Sequence, residues 1–327
     1  MNALLLEETE VGKLISLEET IEVVELAFEE KGKGRTQMPP KPYIYFKKFD
    51  GDFRTMPAYI KRLGAAGVKI VNVHPNNPKK NLPSVMGTIL LLKPETGEPL
   101  SIMGGTEITR LRTGAAGGIA AKYLARADSS KVGLIGSGVQ AKYQLLSLNE
   151  LFDLKLVKVY DLYREKRDQF VQETAPLLNS KIEQVDSGKT AAEEADILVT
   201  TTPSKSPVLK DEWIEEGVHI NAIGADAKGK QELDPDTLKR SKIVVDEWKQ
   251  ASHSGEINVA VENGKISQKD IHADIGEIVS GKKIGREKEE ELTVFDSTGL
   301  AIQDVATAWK VYENIEDKGN HRSISLY

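Results

Sequence analysis

The 327-residue sequence has no cysteine, which excludes disulfides, thiolate-bound zinc and a thiol nucleophile. Histidine is also scarce. The five that occur, at positions 74, 219, 253, 272 and 321, show no H-E-x-x-H or comparable spacing, so no metal site is expected. There is no Gly-x-Ser-x-Gly elbow, which argues against a serine hydrolase. No apolar run approaches membrane-spanning length, and Met1-Asn2-Ala3-Leu4-Leu5-Leu6-Glu7-Glu8 has neither the basic leader nor the apolar stretch of a signal peptide. The expectation is a cytoplasmic protein. A net charge of -6 and the lack of a basic stripe argue against a nucleic-acid partner, and clusters such as Lys282-Lys283 alternate with acids as solvated surface does. Neither internal repeats nor low-complexity segments occur. What is present, 39% hydrophobic and 29% charged residues, suits a globular chain long enough for two domains.

The most informative segment is Val132-Gly133-Leu134-Ile135-Gly136-Ser137-Gly138-Val139-Gln140-Ala141, an apolar run that breaks into Gly-x-Gly-x-x-Ala. Gly136 allows a tight turn, and Gly138 lets the backbone approach a pyrophosphate held on a helix N-terminus, where unpaired N–H groups and the helix dipole favour anions. Ala141 takes the place of a third glycine at a close helix–strand contact. A second strand-like run, Leu156-Val157-Lys158-Val159-Tyr160, ends on Asp161, where a carboxylate can hold both hydroxyls of an adenosine ribose. This layout predicts dinucleotide binding. The Asp161 carboxylate repels a 2′-phosphate and favours NAD over NADP, while Arg164 nearby pulls weakly the other way.

From Val132 to about residue 245 strands and helices alternate, with later strands at Ile197-Leu198-Val199-Thr200, His219-Ile220-Asn221-Ala222-Ile223 and Ile243-Val244-Val245, which predicts a doubly wound parallel sheet. The earlier part differs. Leu4-Leu5-Leu6, Pro42-Tyr43-Ile44-Tyr45-Phe46, Phe53 to Ala58, Ala65 to Val71, Thr88 to Leu92 and Leu100 to Met103 predict a mixed sheet fed by hairpins. Ser16 and Glu19 form a capping box before a helix with Leu17, Ile21, Val24 and Phe28 on one face. A long helix is expected from about 107 to 126, a last strand at Leu292-Thr293-Val294-Phe295, and a final helix from 299 to about 315 that returns to the first domain.

Four basic residues of the first domain, Lys41, Arg54, Lys69 and Arg112, sit among apolar or small neighbours. Lys69 falls within Gly67-Val68-Lys69-Ile70-Val71, where a buried ammonium costs several kcal/mol unless paired. The alternative is an edge strand with the lysine reaching water. Clustered cations suit a small carboxylate substrate, since arginine grips two oxygens at once. Arg112 could equally make a helix-surface salt bridge. Asp226 follows a strand at the sheet edge where ligands of open α/β folds bind, and is a candidate acid or base, with turn capping as the alternative. Ser297, in Phe295-Asp296-Ser297-Thr298-Gly299, is a candidate nicotinamide contact or a helix N-cap. Thr200 and Thr202, in Thr200-Thr201-Thr202-Pro203-Ser204, are candidates to line the adenosine or merely end a strand. His74 could approach the substrate or satisfy its own loop.

Along nearly its whole length the chain resembles the ornithine cyclodeaminase and mu-crystallin family. The resemblance is carried by Met38-Pro39-Pro40-Lys41, Gly67-Val68-Lys69 with His74-Pro75, Leu111-Arg112-Thr113-Gly114-Ala115-Ala116, Ile135 to Ala141, His219 to Asp226, and Phe295-Asp296-Ser297-Thr298-Gly299. Within it the chain is most similar to the archaeal alanine dehydrogenase branch, through Arg54-Thr55-Met56-Pro57-Ala58, Thr200 to Ser204, Gly229-Lys230-Gln231-Glu232-Leu233-Asp234 and Gly299 to Asp304. The resemblance implies a Rossmann-type NAD-binding domain, residues 119–299, inserted in a mixed α+β domain, residues 1–118 with 300–327, that binds substrate and forms a homodimer. It places Lys69 and Asp226 in the catalytic positions and Lys41 and Arg54 at the substrate. Ser84, Arg112, Thr113, Val139, Gln140, Asp161, Ala222, Ile223, Gly224, Lys230 and Ser297 are then expected around the cofactor, beside Gly136 and Gly138. Cyclodeaminases of the family carry a glutamate where this chain has Arg54. A guanidinium there disfavours the ornithine side chain by about 1 kcal/mol or more at close range, and favours a small neutral amino acid.

The implied activity is NAD-dependent oxidative deamination of L-alanine to pyruvate and ammonium, and its reverse. Lys41 and Arg54 hold the carboxylate, Lys69 acts as a base with its pKa lowered by neighbouring cations, and Asp226 polarises the water that attacks the iminium. That scheme requires the cations of the first domain to face the nicotinamide. Ornithine cyclisation and reduction of a cyclic ketimine such as pyrroline-2-carboxylate are the nearer alternatives. A crystallin-like, non-catalytic ligand carrier is the more distant one.

Overall fold

The computed structural model describes residues 2–315 and 321–326. The chain divides into two compact units, Met1–Arg112 with Leu300–Tyr327, and Thr113–Gly299. In the first unit the strands lie in the spatial order Ser323–Ser325, Asn2–Leu6, Pro99–Gly104, Val85–Leu92, Ala65–Val73, Gly51–Ile60 and Thr36–Gln37, with Tyr43–Phe46 also paired to Gly51–Ile60. Asn2–Leu6 and Pro99–Gly104 run parallel, and the other described pairs are antiparallel, as strands joined by hairpins must be from Tyr43–Phe46 through Pro99–Gly104.

Alternation of buried and open positions sets which side chains meet. In Gly51–Ile60 the buried residues are Arg54, Met56, Ala58 and Ile60, and in Ala65–Val73 they are Ala65, Gly67, Lys69 and Val71. A period of two on one covered face is the pattern of an antiparallel sheet packed on one side. Over it lies the helix Ala301–Glu313, which packs on Gly51–Ile60, Ala65–Val73 and Val85–Leu92 and on the helix Leu17–Gly32 behind it. Every residue from Ala301 to Ala308 is buried, polar Gln303, Asp304 and Thr307 included. This helix starts two residues after the expected Gly299. Leu17–Gly32 begins at the Ser16–Glu19 capping box, as its sequence predicts.

The second unit is an eight-stranded parallel sheet in the order Lys181–Gln184, Leu156–Tyr160, Lys131–Ile135, Ile197–Thr200, His219–Ala222, Thr293–Asp296, Lys242–Val245 and Ile271–Asp274. Winding reverses between Lys131–Ile135 and Ile197–Thr200, so the crevice beyond their carboxyl ends is the topological switch point. The fold is therefore an α/β Rossmann-type sheet inserted in a mixed α+β unit. Ile197–Thr200 and His219–Ala222 are buried at every position, as expected of parallel strands covered on both faces. The two edge strands, Lys181–Gln184 and Ile271–Asp274, were not expected, because their Lys-Ile-Glu-Gln and Ile-His-Ala-Asp sequences carry the polarity of loops. The long helix runs Thr106–Leu124 rather than to about 126. His219 lies in the core between Thr293 Oγ1 at 2.9 Å and Asn221 Oδ1 at 3.0 Å. Burial pushes its imidazole down to about 3, so it is a neutral structural group. No helix among the described residues is long and apolar enough to cross a membrane.

Candidate active site

The four cations singled out in the sequence share one region of the first unit. Arg54 pairs with Val71 and Met56 with Lys69 across the two strands, which makes Arg54 and Lys69 diagonal neighbours on the covered face, roughly 7–8 Å apart. Lys69 is on a central strand and 1% exposed, so it does not reach water as an edge lysine would. Its Nζ donates to Asp304 Oδ1 at 2.6 Å and to Thr109 Oγ1 at 3.2 Å. Arg112 is likewise buried rather than on the helix surface: its Nε donates to the same Asp304 Oδ1 at 3.0 Å and its Nη1 to Gln303 Oε1 at 2.9 Å.

Burial is the main force on Lys69 and pulls its ammonium from 10.5 down to about 7. Asp304 opposes that fall, while Arg112 and, more weakly, Lys41 add to it. Neighbouring cations do lower this lysine, as expected, but desolvation is the larger cause. Charge balance gives the reason, since Arg112 already matches Asp304 and a charged Lys69 leaves an unmatched buried cation. Arg54 donates Nε and Nη2 to Asp52 at 3.0 and 3.2 Å, and its guanidinium carbon lies 4.8 Å from the Tyr43 ring centre. His74 stacks on Phe46 with ring centres 6.0 Å apart and receives a backbone role from Ser84, whose carbonyl accepts its N–H.

In the second unit the glycine turn has the geometry a pyrophosphate needs. Gly136 sits at φ +101°, where a side chain is strained, and its N–H donates to Tyr160 O at 2.8 Å. The helix Val139–Leu151 starts after an extended Gly138 with no side-chain cap, and a Cβ built on Gly138 meets no protein atom within 4 Å. The helix N-terminus is thus open to an anion, with Val139 exposed and the buried Gln140 Oε1 accepting no hydrogen bond among the described residues. Asp161 has a structural task the sequence did not reveal. Its Oδ2 accepts from the Ser137 N–H and Oγ, both at 3.0 Å, and its Oδ1 from the Tyr163 N–H at 3.1 Å, which fixes the turn while each oxygen keeps capacity for a ribose hydroxyl. These residues fit a dinucleotide.

Beyond the neighbouring strands a buried carboxylate organises the crevice wall. Glu232 accepts from Thr200 Oγ1 and the Gly224 N–H, both at 2.8 Å, and from the Thr202 N–H at 2.5 Å. Burial raises its pKa. Thr200 is fully buried with its hydroxyl on Glu232, so its place is in the wall behind any ligand. Ala222 and Ile223 are buried in the same strand end, and the Thr113 carbonyl accepts from Gln144 Nε2 at 2.7 Å. Asp226 is salt-bridged to Lys230, joining two expected site residues on one loop. Asn258 anchors that loop by accepting from the Gly229 N–H at 2.9 Å and donating to Lys230 O at 2.8 Å. Ser297 is buried and its N–H donates to Ala222 O at 3.1 Å. It is not a helix N-cap, because the helix starts after Leu300; Asp246 instead holds the turn through the Thr298 and Gly299 N–H groups at 2.6 and 2.8 Å.

Sequence inspection missed Asp304, Thr109, Asp52, Glu232 and Asn258. Asp304 and Glu232 do stand inside motifs that carry the family resemblance, but nothing adjacent to them marks their partners.

The ornithine cyclodeaminase/mu-crystallin family profile matches residues 1–319. An alanine dehydrogenase of Archaeoglobus fulgidus is 53% identical over 330 residues, covering 100% of this chain and 99% of that protein. Among solved structures, an archaeal alanine dehydrogenase dimer with bound NAD aligns over 100% of both chains with TM-score 0.96 and 52% identity. The Thermococcus litoralis Delta(1)-pyrroline-2-carboxylate reductase in complex with NADH and L-proline aligns over 98% of this chain and 100% of that chain, with TM-score 0.94 and 42% identity. With the buried basic cluster in one unit and the dinucleotide turn in the other, these matches lead to one statement of kinship: the chain belongs to the ornithine cyclodeaminase/mu-crystallin family.

Proposed function

We propose that this chain is an NAD-dependent amino-acid dehydrogenase that converts L-alanine to pyruvate and ammonium, and the reverse. The observation that carries it is the burial of Lys69, with its pKa near 7, on one sheet face with Arg54. An amine base beside a guanidinium suits a substrate bearing both an ammonium and a carboxylate. Bound NAD supplies the hydride acceptor, held through Gly136, Gly138, Val139, Gln140 and Asp161, with Ser84, Arg112, Thr113, Thr202, Ala222, Ile223, Gly224, Lys230 and Ser297 completing its surroundings.

Arg54 and Lys41 bind the carboxylate. Asp52 takes the Nε and Nη2 edge of the guanidinium, so the substrate meets Arg54 from another side. Lys69 accepts a proton from the substrate ammonium at Nζ. Asp226, steadied by Lys230, accepts a proton from the water that adds to the imine carbon. Arg54 selects against a cationic side chain and for a small neutral one. The chain works as a homodimer, a reading supported by the exposed apolar Ile44, Tyr45, Phe49 and Ile70 of the first unit and by the dimeric archaeal relative.

The likeness to a pyrroline-2-carboxylate reductase favours one second reading, reduction of that cyclic imine to proline. NADH absorbance separates the two. Alanine with NAD, or pyruvate and ammonium with NADH, should turn over faster than pyrroline-2-carboxylate with NADH, and ornithine should give no NADH. A preference for the cyclic imine would replace the first reading with the second. Light scattering at a dimer mass tests the assembly.

A further inference from the structure

The side-chain amine of Lys69 has two described hydrogen-bond partners, and both accept from it. The Thr109 hydroxyl donates its own hydrogen to Gly105 O at 2.7 Å, so toward Lys69 it offers a lone pair. Asp304 presents a carboxylate oxygen that already accepts from Arg112 Nε at 3.0 Å. All three residues belong to the first unit: Thr109 and Arg112 on the opening turns of the helix Thr106–Leu124, and Asp304 on the buried helix Ala301–Glu313.

A neutral amine has two N–H groups and one lone pair. With both N–H groups engaged by acceptors, tetrahedral geometry leaves the lone pair on the side away from Thr109 and Asp304. Had either partner been able to donate, the lone pair could have turned toward it and been lost to chemistry. We propose that Thr109 and Asp304 are positioning residues that together aim the Lys69 lone pair for proton abstraction, with Arg112 and Gly105 O holding each of them in its accepting role. In the step they serve, a bond forms between Lys69 Nζ and a proton as the substrate ammonium N–H breaks, and the released electron pair stays on the substrate nitrogen. This inference rests on the dehydrogenase reading for the identity of that ammonium.

The test separates aim from ionisation. In Thr109→Val the acceptor is lost, while Thr109→Ser keeps it. At a pH well above the Lys69 midpoint every variant has a deprotonated base, so the plateau kcat reports geometry alone. Thr109→Val should lower that plateau roughly 10- to 100-fold with the alanine KM within about threefold, and Thr109→Ser should restore most of it. Asp304→Asn, which brings a donor to the lysine, should lower the plateau as well. A Thr109→Val plateau within about twofold of the wild type overturns the proposal, because a role confined to the bond to Gly105 O would change stability and not the rate per folded molecule.

NMR titration of the Lys69 Cε resonance gives a readout without substrate. Loss of either acceptor disfavours the ammonium, so the midpoint should fall in Asp304→Asn and in Thr109→Val. Unmoved midpoints overturn the contacts themselves. If the wild type is inert toward alanine while the midpoints move, only the functional reading fails and the amine's cradle stands.

Discussion

Asp52 clamps the Arg54 guanidinium through two hydrogen bonds, at 3.0 Å to Nε and 3.2 Å to Nη2, two residues along the same strand. The Tyr43 ring lies against the guanidinium and holds the fork flat. Arg54→Lys keeps the charge but loses the fork and the stacking. It should raise the alanine KM roughly 10- to 100-fold, the equivalent of a charge-assisted bond worth about 1.5–3 kcal/mol, with a smaller fall in kcat. Asp52→Asn should raise KM less, since the guanidinium survives. Steady-state kinetics check both, and an unchanged KM in Arg54→Lys removes Arg54 from the substrate.

The pH dependence follows from Lys69. Its pKa is about 7 in the fold against the ordinary 10.5 of a lysine, so activity in the deaminating direction should rise with pH to a plateau above about 7 as the amine loses its proton. Arg112→Gln, which removes a cation that lowers Lys69, should move that limb up in pH. Initial rates from pH 5 to 10 decide the matter, and a limb that ignores Arg112 breaks the link.

The same shift bears on stability. Between about pH 7 and 10.5 the unfolded chain holds a proton at Lys69 that the folded chain lacks, so folding becomes more favourable as pH rises across this window. Lys69→Met has no such group. The stability advantage of Lys69→Met over the wild type should therefore be largest at or below pH 7 and shrink by up to about 1.4 kcal/mol per pH unit above it. Chemical denaturation of both proteins at pH 7 and pH 9 measures the difference, and a constant gap contradicts a buried lysine that titrates.

Gly138 distinguishes a ligand site from a packing site. A methyl group there meets no protein atom within 4 Å and the backbone is ordinarily extended, so Gly138→Ala should leave the melting temperature nearly unchanged. Where a pyrophosphate must approach the backbone, the same methyl should weaken NADH binding by roughly tenfold or more, about 1.4 kcal/mol. Fluorescence titration with NADH checks this, and wild-type affinity in Gly138→Ala would remove the turn from cofactor binding.

On the proposed reading, Asp161 sets the choice between NAD and NADP. Asp161→Ser removes the charge that opposes a 2′-phosphate, so kcat/KM with NADP should rise while that with NAD falls, each by roughly tenfold. Ser137→Ala removes a single hydrogen bond to the same carboxylate and should affect NAD use less. Better NADP than NAD turnover in the wild type would contradict the ribose assignment.

The dinucleotide turn and most of the fold were legible in the chain because their determinants are local. Gly136, Gly138 and Asp161 are related by one strand, one helix and a second strand, and alternating burial in Ala65–Val73 follows from the pleat of a single segment. The polar edge strands Lys181–Gln184 and Ile271–Asp274 escaped notice because an edge needs little apolar surface to join a sheet. Chemistry at Lys69 depends on residues the chain does not place beside it. Its carboxylate partner Asp304 is 235 positions away and Thr109 is 40 away. Only the packing of a buried C-terminal helix against the sheet brings them together, and the exclusion of water by that packing is what lowers the lysine's pKa to about 7. Residue types and spacing thus specified which cations and which turn to look for; desolvation and long-range contact, which have no signature along the chain, decided what Lys69 can do.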